Sequence, residues 1–184
     1  MLEVRPVAQN ELNGLLIADQ VLCGNEVTVR VGYSGFSLSY QPSVHAQWRV
    51  FHPTEEARLW LLHEPARCGL FSAIEDRRVV GIALIAATQN GWAELCDIRV
   101  DVQHRRQGTG TALLNACAAF SESRKMGGMH CAVPDSNPVM CQFLEHHGFQ
   151  VHGLDRMSLS LTDSERAKPL QQRACLLHFY RREI

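Results

Sequence analysis

Arg105 and Arg106 with Gly108 and Gly110, and upstream of them the carboxylates Glu94 and Asp97, are residue types that could hold a phosphate and accept a proton, and all fall in the stretch ELCDIRVDVQHRRQGTGT, from Glu94 to Thr111. Apolar Leu95, Ile98, Val100 and Val102 predict an extended segment, and Leu113, Cys117 and Phe120 at i, i+4 and i+7 predict a helix after the glycines. The first N–H groups of a helix lack intrahelical partners, and the macrodipole places partial positive charge there. Gly108 and Gly110 would let phosphate oxygens approach the main chain, and Arg105 and Arg106 add fixed positive charge. No Lys-Ser/Thr follows, as a Walker loop requires, and the third glycine of a dinucleotide fingerprint is missing.

The pattern Arg105-x-x-Gly108-x-Gly110 after a strand resembles the Q/R-x-x-G-x-G/A acyl-CoA signature of the GNAT N-acetyltransferase superfamily. A second segment, NPVMCQFLEHHGF with Asn137, Phe143, Gly148 and Phe149, resembles the family's N-x-x-A-x-x-F-Y-x-x-x-G-F motif. The resemblance implies an α/β (α+β) fold, with a mixed central sheet of about six to seven strands flanked by about four helices, as one domain over residues 1–184. It implies acetyl-CoA as co-substrate and no metal. The pyrophosphate would lie on Arg105, Arg106, Gln107, Gly108, Thr109, Gly110 and Thr111, and the pantetheine arm along Ile98, Arg99 and Val100. Asn137, Cys141 and Phe143 would complete the cofactor side.

Within the superfamily, the order of segments is similar to the streptothricin acetyltransferases over most of the chain. The similar pieces are VTVRVGYSGFSLSYQ, the CDIRVD strand end, Asn137 with Cys141 and Phe143, and the terminal LLHFY. A small-molecule cationic amine is therefore the implied acceptor, with antibiotic resistance as the implied role. The resemblance also allows a homodimer, which no residue here decides.

Acetylating an amine requires removing its proton, since a lysine-like amine of pKa about 10.4 is only roughly 0.04% neutral at pH 7. Glu94, eleven residues before Arg105, has a spacing that resembles that of the strand glutamate serving as base in some GNAT enzymes, and Asp97 resembles the acidic position of the streptothricin-like CDIRV segment; these two are the candidate catalytic carboxylates. In a regular strand these two face opposite sides, so one reaches the cleft unless a bulge resets the alternation. Each also reads as a solvated or salt-bridged strand-end carboxylate, or as an attractor for the cation while an ordered water takes the proton. Backbone N–H groups along Ile98 to Val100 would stabilise the tetrahedral oxyanion, as the family implies.

Leu144 stands where the family usually has the tyrosine that protonates the leaving thiolate, and Met140 replaces the usual alanine. A thiol of pKa about 8.5 leaving unprotonated at pH 7 forfeits about 2 kcal/mol, which need not end activity. Cys141, Tyr180, Tyr40 and His146 are other conceivable donors, Cys141 reading more simply as a small core residue. Tyr40 is also the candidate acceptor contact, while Tyr33, Trp48 and Trp92 read mostly as core. Two alternatives follow: a catalytically impaired acyl-CoA sensor, or an N-acetyltransferase acting on a protein or peptide amine.

The elements that must position these groups fit one domain: 184 residues, 46% hydrophobic and 20% charged. A net charge of -1 argues against a nucleic-acid surface. Seven cysteines without C-x-x-C spacing or a preceding signal peptide suggest reduced thiols in a cytoplasmic protein. None of the nine histidines makes a zinc motif, and no apolar run reaches a membrane span.

Along the chain, LEVRPV predicts a strand, and Leu12, Leu15, Leu16 and Val21 a helix. Val27 to Val50 alternates but is broken by Gly32, Gly35 and Pro42, predicting irregular strands or a long loop. Pro53 and Thr54 open a capped helix that Pro65 ends. GLFSAIE, VVGIALIAA and the strand from Trp92 predict an antiparallel meander. A helix from about Gly108 to Lys125 would be capped by Gly127 and Gly128. MHCAVP is then a buried strand, Asn137–His147 a helix closed by Gly148, and FQVHGLDRMSLSL with RACLLHFYR a final hairpin with Lys168-Pro169 in its connection.

Overall fold

The computed structural model describes residues 1–7, 17–53, 55–156 and 174–182. Its strands are β1 (Glu3–Pro6), β2 (Val21–Gly32), β3 (Gly35–Arg49), β4 (Cys68–Glu75), β5 (Arg78–Ala87), β6 (Ala93–Val100), β7 (Gly128–Pro134), β8 (Gln150–Asp155) and β9 (Leu176–Arg182). Its α-helices are α1 (Glu55–His63), α2 (Thr109–Ser123) and α3 (Pro138–His146). The chain divides into two compact units, one of residues 1–20, 50–130 and 182–184, the other of Val21–Arg49 and Cys131–Arg181.

In the first unit β1, β4, β5, β6 and the start of β7 lie side by side, antiparallel except for the parallel β6–β7 pair. In the second, the end of β7 is followed by β9 and β8. β5 lies inside the sheet, and Val80 to Ala86 are buried without interruption, which is why VVGIALIAA reads as a continuous apolar run. One face is covered by α2: a Cβ on Gly69 would stand 2.7 Å from the Phe120 ring, and one on Gly81 3.0 Å from Leu113. These glycines let helix and sheet approach closely. Leu113 and Leu114 are fully buried there, each worth roughly 1.5–3 kcal/mol. On the opposite face Ala57 of α1 packs with Leu70 and Leu84, flanked by Val7, Leu61, Cys68 and Cys96.

Asp76 and Arg77 both adopt positive φ, 48° and 64°, as a two-residue hairpin of primed type demands. α2 ends differently from the expected glycine cap. Lys125 takes the left-handed conformation at φ 56°, with Met126 N–H bonded to Ser121 O and Lys125 N–H to Glu122 O, the double bond of a Schellman motif. Gly128 instead begins β7.

In the second unit β2 and β3 form a two-stranded ribbon, so of the irregular strands or long loop expected for Val27–Val50 the structure has the strands. Regular pairing runs from Gly32–Gly35 to Asn25–Pro42 and resumes at Cys23–Gln47, so the irregularity is confined to residues 43–46, bulged from β3. Tyr33 and Trp48 are exposed, not core, and Tyr40 and Trp92 are half-buried. Asn137 caps α3 with Pro138 at its first position, and Gly148, at φ 82°, closes it. β8 and β9 form the expected antiparallel hairpin. Of the predicted first helix, Leu12 to Leu16 lie outside the described residues, as do Thr54 and the Lys168-Pro169 connection, while Val21 begins β2. Three α-helices, against about four expected, are present among the described residues.

Candidate active site

The chemistry-bearing part of the first unit is built on β6. Leu84 of β5 pairs with Asp97 and Ile85 with Leu95, which leaves Cys96 as an extra residue in β6. The bulge resets the alternation. Glu94, Asp97 and Arg99, opposite Ala86, Leu84 and Ile82, therefore share one face, the face of the Ala57–Leu70–Leu84 cluster. Leu95, Ile98 and Val100 share the face of α2. The β6–β7 ladder consists of two pairs, Ala93–Met129 and Glu94–His130. Beyond Glu94, β6 has its ladder with β5 alone.

Asp97 is 10% exposed, and its Oδ2 accepts from Arg99 Nε at 2.8 Å. The Arg99 guanidinium also donates to Asp19 Oδ2 at 3.0 Å. Burial pushes the Asp97 carboxyl up to about 6 despite the pull of Arg99; Asp19 adds to the rise and His52 opposes it. Burial likewise raises Glu94, assisted by Glu56 and opposed by Arg67. The Glu94 carboxylate lies 3.8 Å from His130 Nε2.

After β6, Asp101 accepts from Gln103 N and Ala18 N, and these bonds hold its carboxyl below the usual range. Arg105 donates from Nε to Val100 O and from its terminal nitrogen to Gln20 O. Its guanidinium is thus engaged with main chain and shapes the loop. Arg106, at φ 61°, is exposed, as is Gln107, whose amide donates to Gln103 O. Gly108 is the N-cap of α2 at φ 87°, with no side-chain capping bond. The helical ladder opens with the bond from Ala112 N to Gly108 O, so the amides of Gly108, Thr109 and Gly110 are not engaged within α2. Thr109 is buried, Gly110 half-buried and Thr111 exposed. The loop therefore offers the uncapped helix end and the Arg106 charge.

In the second unit Asn137 Oδ1 accepts from Met140 N as the α3 cap. Cys141 and Leu144 are fully buried on the inner face of α3, and burial pushes the Cys141 thiol up to about 12, which suits a core residue rather than a proton relay. Phe143 is half-buried with its ring 4.3 Å from that of His147. The Tyr40 hydroxyl donates to Glu145 at 2.5 Å, and burial followed by this bond raises the phenol above its ordinary range. Of the other donors considered, His146 is exposed and Tyr180 lies edge-on to His152.

The sequence pattern does not mark Asp19, His130 or Glu145, whose partners are remote in sequence or on a neighbouring strand, and no local motif points to them. None of the seven cysteines is joined in a disulfide. Among the described residues no three His, Cys, Asp or Glu side chains are grouped to hold a metal, and no helix is long and apolar enough to cross a membrane.

The chain belongs to the acetyltransferase (GNAT) family, whose model matches residues 36–149. Within that family it is similar to streptothricin acetyltransferase A of Bacillus subtilis (strain 168), with 29% identity over 85 residues, covering 46% of this chain and 49% of that protein. The match thus spans about half of that relative's length. Its fold is similar to that of a Bacillus anthracis str. Ames protein assigned as a streptothricin acetyltransferase, in complex with acetyl coenzyme A, with TM-score 0.80, 17% identity, and coverage of 100% and 98% of the two chains. It is also similar to nourseothricin acetyltransferase, with TM-score 0.77, 19% identity and 98% of both chains covered.

Proposed function

We propose that this protein is an acetyl-CoA-dependent N-acetyltransferase acting in the cytoplasm on a primary amine of a small cationic molecule of the streptothricin class. The observation that carries the reading is the Cys96 bulge, which turns Asp97 and Glu94 onto one face of the strand leading into the Gly108 loop. Buried carboxylates on one face favour a cationic acceptor over a neutral one. The uncapped start of α2 and Arg106 suit the pyrophosphate of acetyl-CoA, and the edge of Ile98–Val100 suits its pantetheine arm. The relatives named as streptothricin and nourseothricin acetyltransferases support this acceptor class.

With a pKa of about 6, Asp97 is roughly nine-tenths ionised at pH 7 and accepts a proton far more readily than an ordinary aspartate. It takes one proton from the acceptor ammonium. The neutral nitrogen attacks the thioester carbonyl, the C–N bond forms, and the C–S bond breaks. The attacking nitrogen loses its second proton to solvent as the amide forms, and CoA departs as thiolate and takes a proton from solvent in turn, because Leu144 has none to donate. Glu94, paired with His130, contributes negative charge that draws the cation.

One observation favours a second reading, a CoA-binding sensor without turnover: the tyrosine position of α3 is a fully buried leucine. Calorimetry with CoA followed by thiol release from acetyl-CoA separates the two. The acceptors are streptothricin, aminoglycosides, polyamines, free lysine and a lysine peptide. Turnover with a small cationic amine is expected. CoA binding without turnover on any acceptor establishes the sensor, and turnover confined to the peptide establishes a protein acetyltransferase.

A further inference from the structure

Arg99 divides its guanidinium between two carboxylates, and the division is one-sided for each. Nε meets Asp97 Oδ2 at 2.8 Å and a terminal nitrogen meets Asp19 Oδ2 at 3.0 Å. Neither pair is the parallel two-bond fork that an arginine and a carboxylate form when left to themselves. Among the described residues no hydrogen bond reaches Asp97 Oδ1. Asp19 is itself held in place: its neighbour Ala18 donates to Asp101 Oδ2 and accepts from Val102 N, and Gln20 O accepts from Arg105. Residues 18–20 are thus tied one after another to the segment from Arg99 to Arg105.

We infer that Asp19 is a positioning residue, which holds Arg99 turned so that Asp97 keeps one carboxylate oxygen open to the acceptor amine. The inference rests on the reading of Asp97 as the base. Without the Asp19 charge, Arg99 swings to grip both oxygens of Asp97, and the carboxylate becomes a weaker base with its approach capped. The groups that face Asp97 are Arg99 and Asp19, with His52 acting at longer range. Glu94 lies on the same face of β6. Of these, Asp19 is the group that sets where the guanidinium points.

The test is a carboxyl-carbon NMR titration of the full chain labelled with ¹³C-aspartate, the Asp97 resonance being assigned by its loss in Asp97→Asn. In Asp19→Asn the Asp97 midpoint should fall by about half a pH unit or more. The acidic limb of kcat/KM should move down with it. A merely structural tie at residue 19 would lower stability or activity without moving the midpoint. Arg99→Gln supplies the second variant: the midpoint should rise, and adding Asp19→Asn should then move it less than in the wild type, because the coupling runs through the guanidinium. An unmoved midpoint in Asp19→Asn, or an equal effect of Asp19→Asn with and without Arg99, overturns the inference. Failure of the underlying reading shows separately, as an acidic limb that persists in Asp97→Asn.

Discussion

Glu94 and Asp97 lie on the same face of β6 although they stand an odd three positions apart, because Cys96 is an extra residue against β5. An unbulged strand would send one carboxylate to the α2 side, into an apolar layer where its charge would be very costly. The two are still unequal. Asp97 is the more buried and is gripped by Arg99, whereas Glu94 lies beside His130.

Asp97→Asn should therefore lower kcat/KM by about 100-fold or more and remove an acidic limb centred near pH 6. Glu94→Gln should keep that limb and mainly raise KM for the cationic acceptor. Rate profiles of both variants between pH 5 and 9 check this; a limb unchanged in Asp97→Asn excludes Asp97 as base.

The same carboxyl makes stability fall as pH rises. Its folded value of about 6 exceeds the unfolded value of about 3.9, so the folded state holds the extra proton between these limits. The contribution is fully present below about pH 4 and is lost as pH rises through 6, amounting to about 3 kcal/mol. Urea unfolding at pH 4.5 and 7 should show this slope in the wild type and a shallower one in Asp97→Asn.

Among the described residues, no atom beyond Gly108 and its chain neighbours lies within 4 Å of the point where a Gly108 Cβ would stand, yet its φ is 87°. Gly108→Ala should then cost about 1 kcal/mol through backbone strain rather than crowding by the protein. CoA affinity should fall at least tenfold as the loop relaxes out of its left-handed turn. Calorimetry and thermal unfolding measure the two effects, and unchanged CoA affinity would remove the loop from the binding site.

Asn137→Ala should destabilise by about 1 kcal/mol, since its side chain accepts from Met140 N at the start of α3. Asn137→Ser should restore most of that in denaturant titrations. A CoA affinity that falls in both variants would show a binding role beyond capping.

Leu144 is fully buried, so restoring the family's tyrosine is no neutral exchange. Leu144→Tyr should cost about 1–3 kcal/mol by overpacking. If the ring finds room along the thioester, turnover should rise despite the lower melting temperature. A stable, unaccelerated variant would show that the missing acid does not limit the rate.

The glycine loop with its arginines, the helix behind it, the apolar β5 and the capped α3 were legible in the chain because each depends on near neighbours: positive φ, capping bonds and periodic burial are local properties. The order of the meander followed from its turns. The ribbon of β2 and β3 was legible only as irregular strands or a long loop, because glycines and a proline interrupt an alternation that only cross-strand pairing makes continuous. Nor could local pattern show the Cys96 bulge, which exists only as a register against β5. Arg99 meets Asp19 across 80 residues and Tyr40 meets Glu145 across 105. Residue types announced the chemistry, but charge pairing acts over a few ångströms of space, and folding alone brings such distant carboxylates, guanidinium and phenol within that range.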